Sequence, residues 1–329
     1  MTKRFFLLLM PVLSLCVSCS GMIEQPGFIS IFSGIDDGIT LKSFEQSQDN
    51  EISLIFEGSA DDLKIHALKD GEKAVCSIQK LEPQENENSN LSIFKVIPLV
   101  QFKIGEDFKI CGTIKSGLNQ SLDFELPFKG ANNNPAELVF SALKVGSTSN
   151  PGFIKFKVKK RGNLFGFELL NTGNLKEADY TFPPFEVEEG KIIVYHWFLP
   201  IDGSEPEDGS LASSHGCNAL DQGEEAICFW GKFKKFTPKK TNAVLIKQPY
   251  TGEIQDAVLF RNPTDENWGK PEVEYAANQA SEKGLWKPDG DISNAVQANI
   301  TPAKMIKRVS LELINHNAGD WSLTSAPKK

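Results

Sequence analysis

Histidine, methionine and tyrosine are scarce, four of each in 329 residues. The histidines His66, His196, His215 and His316 are far apart in sequence, and Cys76, Cys111, Cys217 and Cys228 contain no Cys-x-x-Cys pair. Tetrahedral zinc sites draw on clustered Cys and His ligands, so the pattern argues against one. No Gly-rich phosphate loop, HExxH or GxSxG occurs, which removes the common nucleotide-binding, zinc-protease and α/β-hydrolase signatures. No tryptophan precedes Trp197, so the first part of the chain lacks the buried Trp of an antibody-type core. Positive charge is in deficit. The net charge of −8 repels nucleic acid and anionic lipid headgroups. Most of it lies early: residues 27–130 carry 10 basic and 17 acidic side chains, net −7, against 23 and 25, net −2, from residue 131 onward.

Phenylalanine is what the chain has in quantity, 23 residues, and Phe favours strands and fills cores. Hydrophobic residues at 40% and charged residues at 24% give the balance of a folded chain, long enough for two domains. The N-terminus reads as an address. Lys3 and Arg4 precede an uncharged run that is too short and too rich in Ser and Cys for a membrane helix. A bacterial lipoprotein signal places a small residue before a Cys whose thiol becomes diacylated. Ser18 before Cys19 fits; bulky Leu15 before Cys16 fits less well, and Cys16 itself stands where Leu is usual. The expectation is a signal peptide over 1–18, lipidation at Cys19 and a tether over 19–26, anchoring the chain without spanning the membrane. Ser20 rather than Asp after the Cys points to the outer membrane of a diderm bacterium, with the periplasmic or surface face left open. An ordinary cleaved signal is the alternative. The remaining cysteines are even in number, as disulfides require in an exported chain, and the economical pairings are Cys76–Cys111 and Cys217–Cys228.

Residues 27–130 read as one β-sandwich. Short apolar segments recur at roughly eight to twelve residues with turn punctuation between them. Alternation places Ile52, Leu54 and Phe56 on one face, and Leu63, Ile65 and Ala67 likewise. Phe108, Ile110 and Gly112 alternate with Cys111, which therefore points away from the core face and weakens the Cys76–Cys111 pairing. The Asn-rich loop 82–90 is a solvated hairpin tip, and Asp36-Asp37-Gly38 is turn chemistry before it is a calcium site.

A polar cluster from Lys129 to Pro135 marks the boundary, and residues 131–329 form the second domain. An opening strand at Glu137–Val145 is followed by a Phe/Lys-alternating segment. Phe182-Pro183-Pro184-Phe185 is excluded from a central strand because Pro lacks the ladder donor. Ile192–His196 is a near-continuous apolar strand expected to be buried on both faces. AVLIKQ and EIQDAVLFRN form a strand pair, VEYAANQASEKG is a helix ending at Gly284, and RVSLELINHN and DWSLT close the domain. This order resembles a lamin-tail-like domain, an immunoglobulin-like β-sandwich. The likeness rests on Glu137–Val145, Phe167-Glu168-Leu169-Leu170-Asn171, the Phe182–Gly190 turn into Ile192–His196, Asp256–Arg261 and Asp320-Trp321-Ser322-Leu323-Thr324. An immunoglobulin-like domain before such a unit, behind a lipoprotein signal, is similar to lipoproteins of spirochaetes. The resemblance implies an all-β protein of two sandwiches with a short helix and an inserted loop. It carries over no catalytic residue and no cofactor.

The candidate sites are weak against simpler readings. Asp202–Asp208 offers oxygen ligands for Ca2+ but reads first as a solvated loop. Ser213, Ser214, His215 and Cys217 cluster in the 199–228 insertion, whereas a nucleophilic triad normally draws on separated elements. Lys155, Lys157 and Lys159, with Lys232, Lys234 and Lys235 among phenylalanines, offer a basic binding surface, although lysines also guard strand edges. The functional expectation is a non-enzymatic, membrane-anchored envelope lipoprotein that is structural or binds a protein or glycan partner, with nucleic acid disfavoured. A Ca2+-dependent adhesin and a hydrolase using the 199–228 insertion are the alternatives.

Overall fold

The computed structural model describes residues 39–60, 62–82, 90–116, 121–146, 152–172, 178–197, 209–213, 219–220, 224–231 and 239–327. Seven strands, β1 (Thr40–Gln46), β2 (Ile52–Glu57), β3 (Asp62–Lys69), β4 (Glu72–Leu81), β5 (Leu91–Pro98), β6 (Asp107–Lys115) and β7 (Ser121–Lys129), pair antiparallel in the order β1-β2-β5-β4-β3-β6-β7. The sheet folds over so that its two edges meet. Phe44 of β1 packs edge-on against Phe128 of β7 with 5.5 Å between ring centroids, and Phe56 of β2 reaches Phe124 of β7. Alternation decides what lies between the layers. Ile52, Leu54 and Phe56 are fully buried, as are Ile110 and Ile114, while Lys109 and Thr113 face out and bond Glu125 and Asp123 across the pair. A side chain on Gly112 would meet the Phe124 ring at 2.7 Å, so this inward position takes glycine.

The expected Cys76–Cys111 bridge is not formed, and both residues are free thiols. Strand β3 separates β4 from β6, which puts the two about 10 Å apart, beyond disulfide reach. They also face opposite ways: Cys76 packs on the core, and Cys111 sits outside, 4.0 Å from Glu125. Burial raises both thiols above the ordinary range, and the Glu125 carboxylate adds to the rise at Cys111.

The second sandwich has two sheets. Its strands are β8 (Glu137–Lys144), β9 (Phe153–Lys160), β10 (Gly162–Asn163), β11 (Glu168–Asn171), β12 (Tyr180–Thr181), β13 (Glu186–Val187), β14 (Ile192–His196), β15 (Ser210–Ser213), β16 (Glu225–Trp230), β17 (Asn242–Lys247), β18 (Ile254–Arg261), β19 (Val296–Gln297), β20 (Lys304–Arg308) and β21 (Trp321–Ser325). The larger sheet runs β15-β16-β14-β9-β8-β20-β21, the smaller β12-β11-β17-β18-β19, and β10 pairs with β13 alone. Helix α1 (Pro271–Glu282) packs on β17 and β18. Strand β17 is therefore covered on both faces, by the larger sheet and by the helix, and its residues Asn242–Ile246 are all buried. The same logic holds for β14, buried from Ile193 to His196: Ile193 and Tyr195 face the main core, and Val194 belongs to a second cluster with Ala219 and Leu220. Strand β20 ends at Arg308, the first residue of the RVSLELINHN segment. Residues 309–320 turn back because the Asp320 carboxylate accepts hydrogen bonds from the backbone N–H groups of Asn315 and His316.

Side chains stitch the two sheets where backbone pairing stops. Strand β8 pairs with β20 only at Ala142 and Leu143, so the early N–H groups on that edge need other acceptors. The Gln255 side chain of β18 accepts from Leu138 N–H and donates to the Ala136 carbonyl, and Asp256 accepts from Phe140 N–H at 2.7 Å. The Asp256 carboxylate also receives Arg308 of β20 at 3.1 Å, with both side chains 1% exposed. Burial pushes this carboxyl above the usual carboxylate range, against the pull of Arg308 and two backbone amides.

The two sandwiches join at Gly130–Asn132. Ala131 N–H donates to the Asn50 side chain, and Asn132 N–H donates to the Tyr250 hydroxyl. Asn132 is fully buried and its amide donates to the carbonyls of Asn163 and Phe165, both at 2.9 Å. Asn132→Ala leaves those carbonyls without this donor. It is expected to cost about 2 kcal/mol, read as a lower urea midpoint with unchanged slope.

Candidate ligand-binding cleft

The helix creates the site by what it leaves uncovered. Pro271 presets φ at the first helical position, and Glu272 and Glu274 complement the positive end of the helix. Gly284, at φ +73°, ends it: Gly284 N–H donates to the Ser281 carbonyl and Leu285 N–H to the Ala280 carbonyl, the 5→2 and 6→1 bonds of a Schellman stop. Val273, Ala276, Ala277 and Ala280 form the buried stripe, and three alanines let the helix axis come close to the sheet. The contact reaches β17 and β18 but stops short of β11.

A cleft of about 650 Å3 opens there. Leu170 of β11 and Leu245 of β17 are cross-strand partners and form its floor. Pro271, Tyr275, Ala276 and Gln279 make the helical wall, and the turn at Thr251–Ile254 closes one end. Lys247 and Lys283 bring positive charge to the lining, Glu253 and Glu272 negative charge. Tyr275 stands out at this wall, 68% exposed on the polar side of the helix. Apolar surface in the floor with polar groups of both signs around it suits a ligand that is itself part apolar and part hydrogen-bonding.

The residues singled out from the sequence lie elsewhere. Lys155 is not on an open surface: β9 is central in the larger sheet, and Lys155 is 4% exposed in an ion pair with Glu224 at 2.7 Å. Lys157 donates to the Gly190 carbonyl and Lys159 to the Leu311 carbonyl, so both are tied into the fold. Alternation in β9 did not separate lysines covered by a later segment from lysines in solvent. Cys19, Lys232, Lys234, Lys235, His215, Cys217 and the 202–208 loop lie outside the described residues. Cys228 is a buried thiol, 3.3 Å from His196 Nε2, and the His196 ring stacks on Trp230 with centroids 3.9 Å apart. This grouping follows from parallel pairing of β14 with β16, for which neither strand carries a sequence signal. No group of three or more His, Cys, Asp or Glu able to hold a metal ion occurs among the described residues. No helix among them is long and apolar enough to cross a membrane.

Residues 136–323 match the family model TP_1001_2nd, described as a protein second domain. The chain belongs to the TP_1001_2nd family. The matched stretch begins just before β8 and ends inside β21, so the family unit coincides with the second sandwich and contains the cleft and the Asp256–Arg308 pair. The chain is also 32% identical over 231 residues to an "Uncharacterized protein" of Treponema pallidum (strain Nichols), covering 66% of this chain and 58% of that one. The chain thus spans less than two thirds of that relative's length. No solved structure matches. Against that background the TP_1001_2nd unit is an all-β sandwich with one short helix, and the helix is what shapes its cleft.

Proposed function

We propose that the chain is a non-enzymatic envelope lipoprotein, anchored through Cys19, whose second domain binds a protein or glycan partner in the cleft between α1 and the smaller sheet. The cleft carries this reading. It pairs an apolar floor on two strands with an exposed aromatic ring on the helix and charged groups of both signs. Lys3, Arg4 and the uncharged run to Ser18-Cys19 support the anchor. The strand order and the segments Phe167–Asn171 and Asp320–Thr324 support a lamin-tail-like second domain behind an immunoglobulin-like first one. A relative from a spirochaete agrees with a diderm envelope.

Two measurements test the reading separately. Intact mass of the protein from its native membrane reports the anchor: an acyl mass lost in Cys19→Ala supports it, and an unmodified chain refutes it. Arrays of envelope glycans and peptides report the cleft. Tyr275→Ala is expected to weaken retention about tenfold or more, because exposed aromatics at binding sites commonly dominate affinity. Retention unchanged by Tyr275→Ala and Lys283→Ala would place the ligand elsewhere.

A further inference from the structure

The larger sheet ends at β21 in an edge that, unlike β1 and β7, is not blunted. Two backbone hydrogen bonds fix its parity. Val309 N–H donates to the Asp320 carbonyl, and Ala326 N–H donates to the Ala303 carbonyl. In an antiparallel pair the bonded residues alternate, so Ser322 and Thr324 turn their backbone groups toward β20, and Trp321, Leu323 and Ser325 turn theirs away. Trp321 N–H is taken by the Ala318 carbonyl. The carbonyls of all three residues and the N–H groups of Leu323 and Ser325 point off the sheet. Side chains lead off the same edge. Leu143, Ile306 and Leu323 are aligned across β8, β20 and β21; the first two are fully buried, but Leu323 is 39% exposed. The apolar row runs out where the strands do.

Natural edges are blunted by charge, proline or bulges. Strand β7 carries Asp123, Glu125, Pro127 and Lys129, and β1 has a register shift at Lys42. Strand β21 reads Trp-Ser-Leu-Thr-Ser, with none of these devices. We propose that β21 is a self-association edge, pairing antiparallel with β21 of a second copy about a two-fold axis at Leu323. The occupant is another copy because the strand complements itself. Centred pairing sets Leu323 against the partner's Leu323 and continues the apolar row, and it opposes no like charges. The same operation on β7 would set Glu125 against its own copy. Leu323 lies at a position where both backbone groups face the partner, so the central pair exchanges two hydrogen bonds, and Ser325 N–H reaches the partner's Trp321 carbonyl once on each side. A contact this short is weak in solution. Confinement of anchored copies to one membrane raises their effective concentration.

Sedimentation of the full chain in mild detergent, over a concentration series, reads the equilibrium. The Cys19→Ala chain, in which no acyl chain contributes, is run alongside. A monomer–dimer equilibrium is expected in both, and Leu323→Lys should raise the dissociation constant about tenfold or more with an unchanged melting curve. Leu323→Cys should cross-link to itself under mild oxidation, since directly opposed residues lie within disulfide reach, whereas Thr324→Cys should not. A strictly monomeric chain at about 100 μM, where a standard-state free energy near −5.5 kcal/mol would still show dimer, overturns the proposal. A dimer that survives Leu323→Lys, or an oligomer in which Leu323→Cys fails to cross-link, overturns it equally. Binding of the cleft ligand is read independently and is unaffected by these outcomes.

Discussion

Arg308→Met is expected to destabilise the second domain by about 3–5 kcal/mol in urea unfolding. The substitution keeps the apolar length of the side chain and removes the guanidinium that lies 3.1 Å from Asp256 and 4.8 Å from the centroid of Trp321. What remains is a carboxylate buried to 1% exposure with no counter-charge, and that uncompensated charge is the source of the loss. The second half of the test distinguishes the pair from the edge cap. In Asp256→Asn with Arg308→Met, no charge is buried and Phe140 N–H keeps an acceptor, so most of the stability should return. In Asp256→Leu with Arg308→Met, Phe140 N–H loses its acceptor and about 1–3 kcal/mol should stay lost. If Arg308→Met costs less than about 1 kcal/mol, the pair does not hold β20 to β18 and the stitch between the sheets resides elsewhere.

Asp179→Asn is expected to stabilise the protein at alkaline pH and to leave it unchanged near pH 4. Asp179 precedes β12, and its N–H donates to the Leu169 carbonyl at 2.8 Å. Both of its carboxylate oxygens are buried, and among the described residues neither has a hydrogen-bond partner of good geometry. Loss of solvation therefore pushes the carboxyl up to about 8, with the Asn171 backbone N–H pulling weakly the other way. The sign follows from proton binding. Between the unfolded pKa near 3.9 and about 8 the folded chain holds a proton that the unfolded chain has released, so stability is greatest below the first value and declines as pH rises through the second. The limit set by the shift is about 6 kcal/mol, and relaxation of a partly exposed residue reduces the expected gain at pH 9 to ~2–3 kcal/mol. Melting temperature against pH for both forms gives the answer. Parallel profiles between pH 4 and 9 would mean that the carboxyl ionises normally.

The sequence by itself determined the strands whose two faces differ. In β2, Ile52, Leu54 and Phe56 are buried and alternate with the less buried Ser53, Ile55 and Glu57, because only one face meets the core. It also determined α1, since Pro271 and Gly284 act on φ locally and need no tertiary partner. The Pro183-Pro184 break and the covered strand at Ile192–His196 were legible for the same reason: each is written in a few adjacent residues. The cleft was not. Its floor joins Leu170 to Leu245 across 75 residues of chain, and its wall stands where α1 stops short of β11, a matter of how far one element reaches over another. Nor could alternation tell that Lys155 would be buried, or that β3 would come between Cys76 and Cys111, because sheet order is set by long-range pairing. The edge at β21 belongs to the same class. Its uncharged sequence is legible locally, but that no strand among the described residues pairs beyond it in the sheet is decided only when the whole sandwich is assembled.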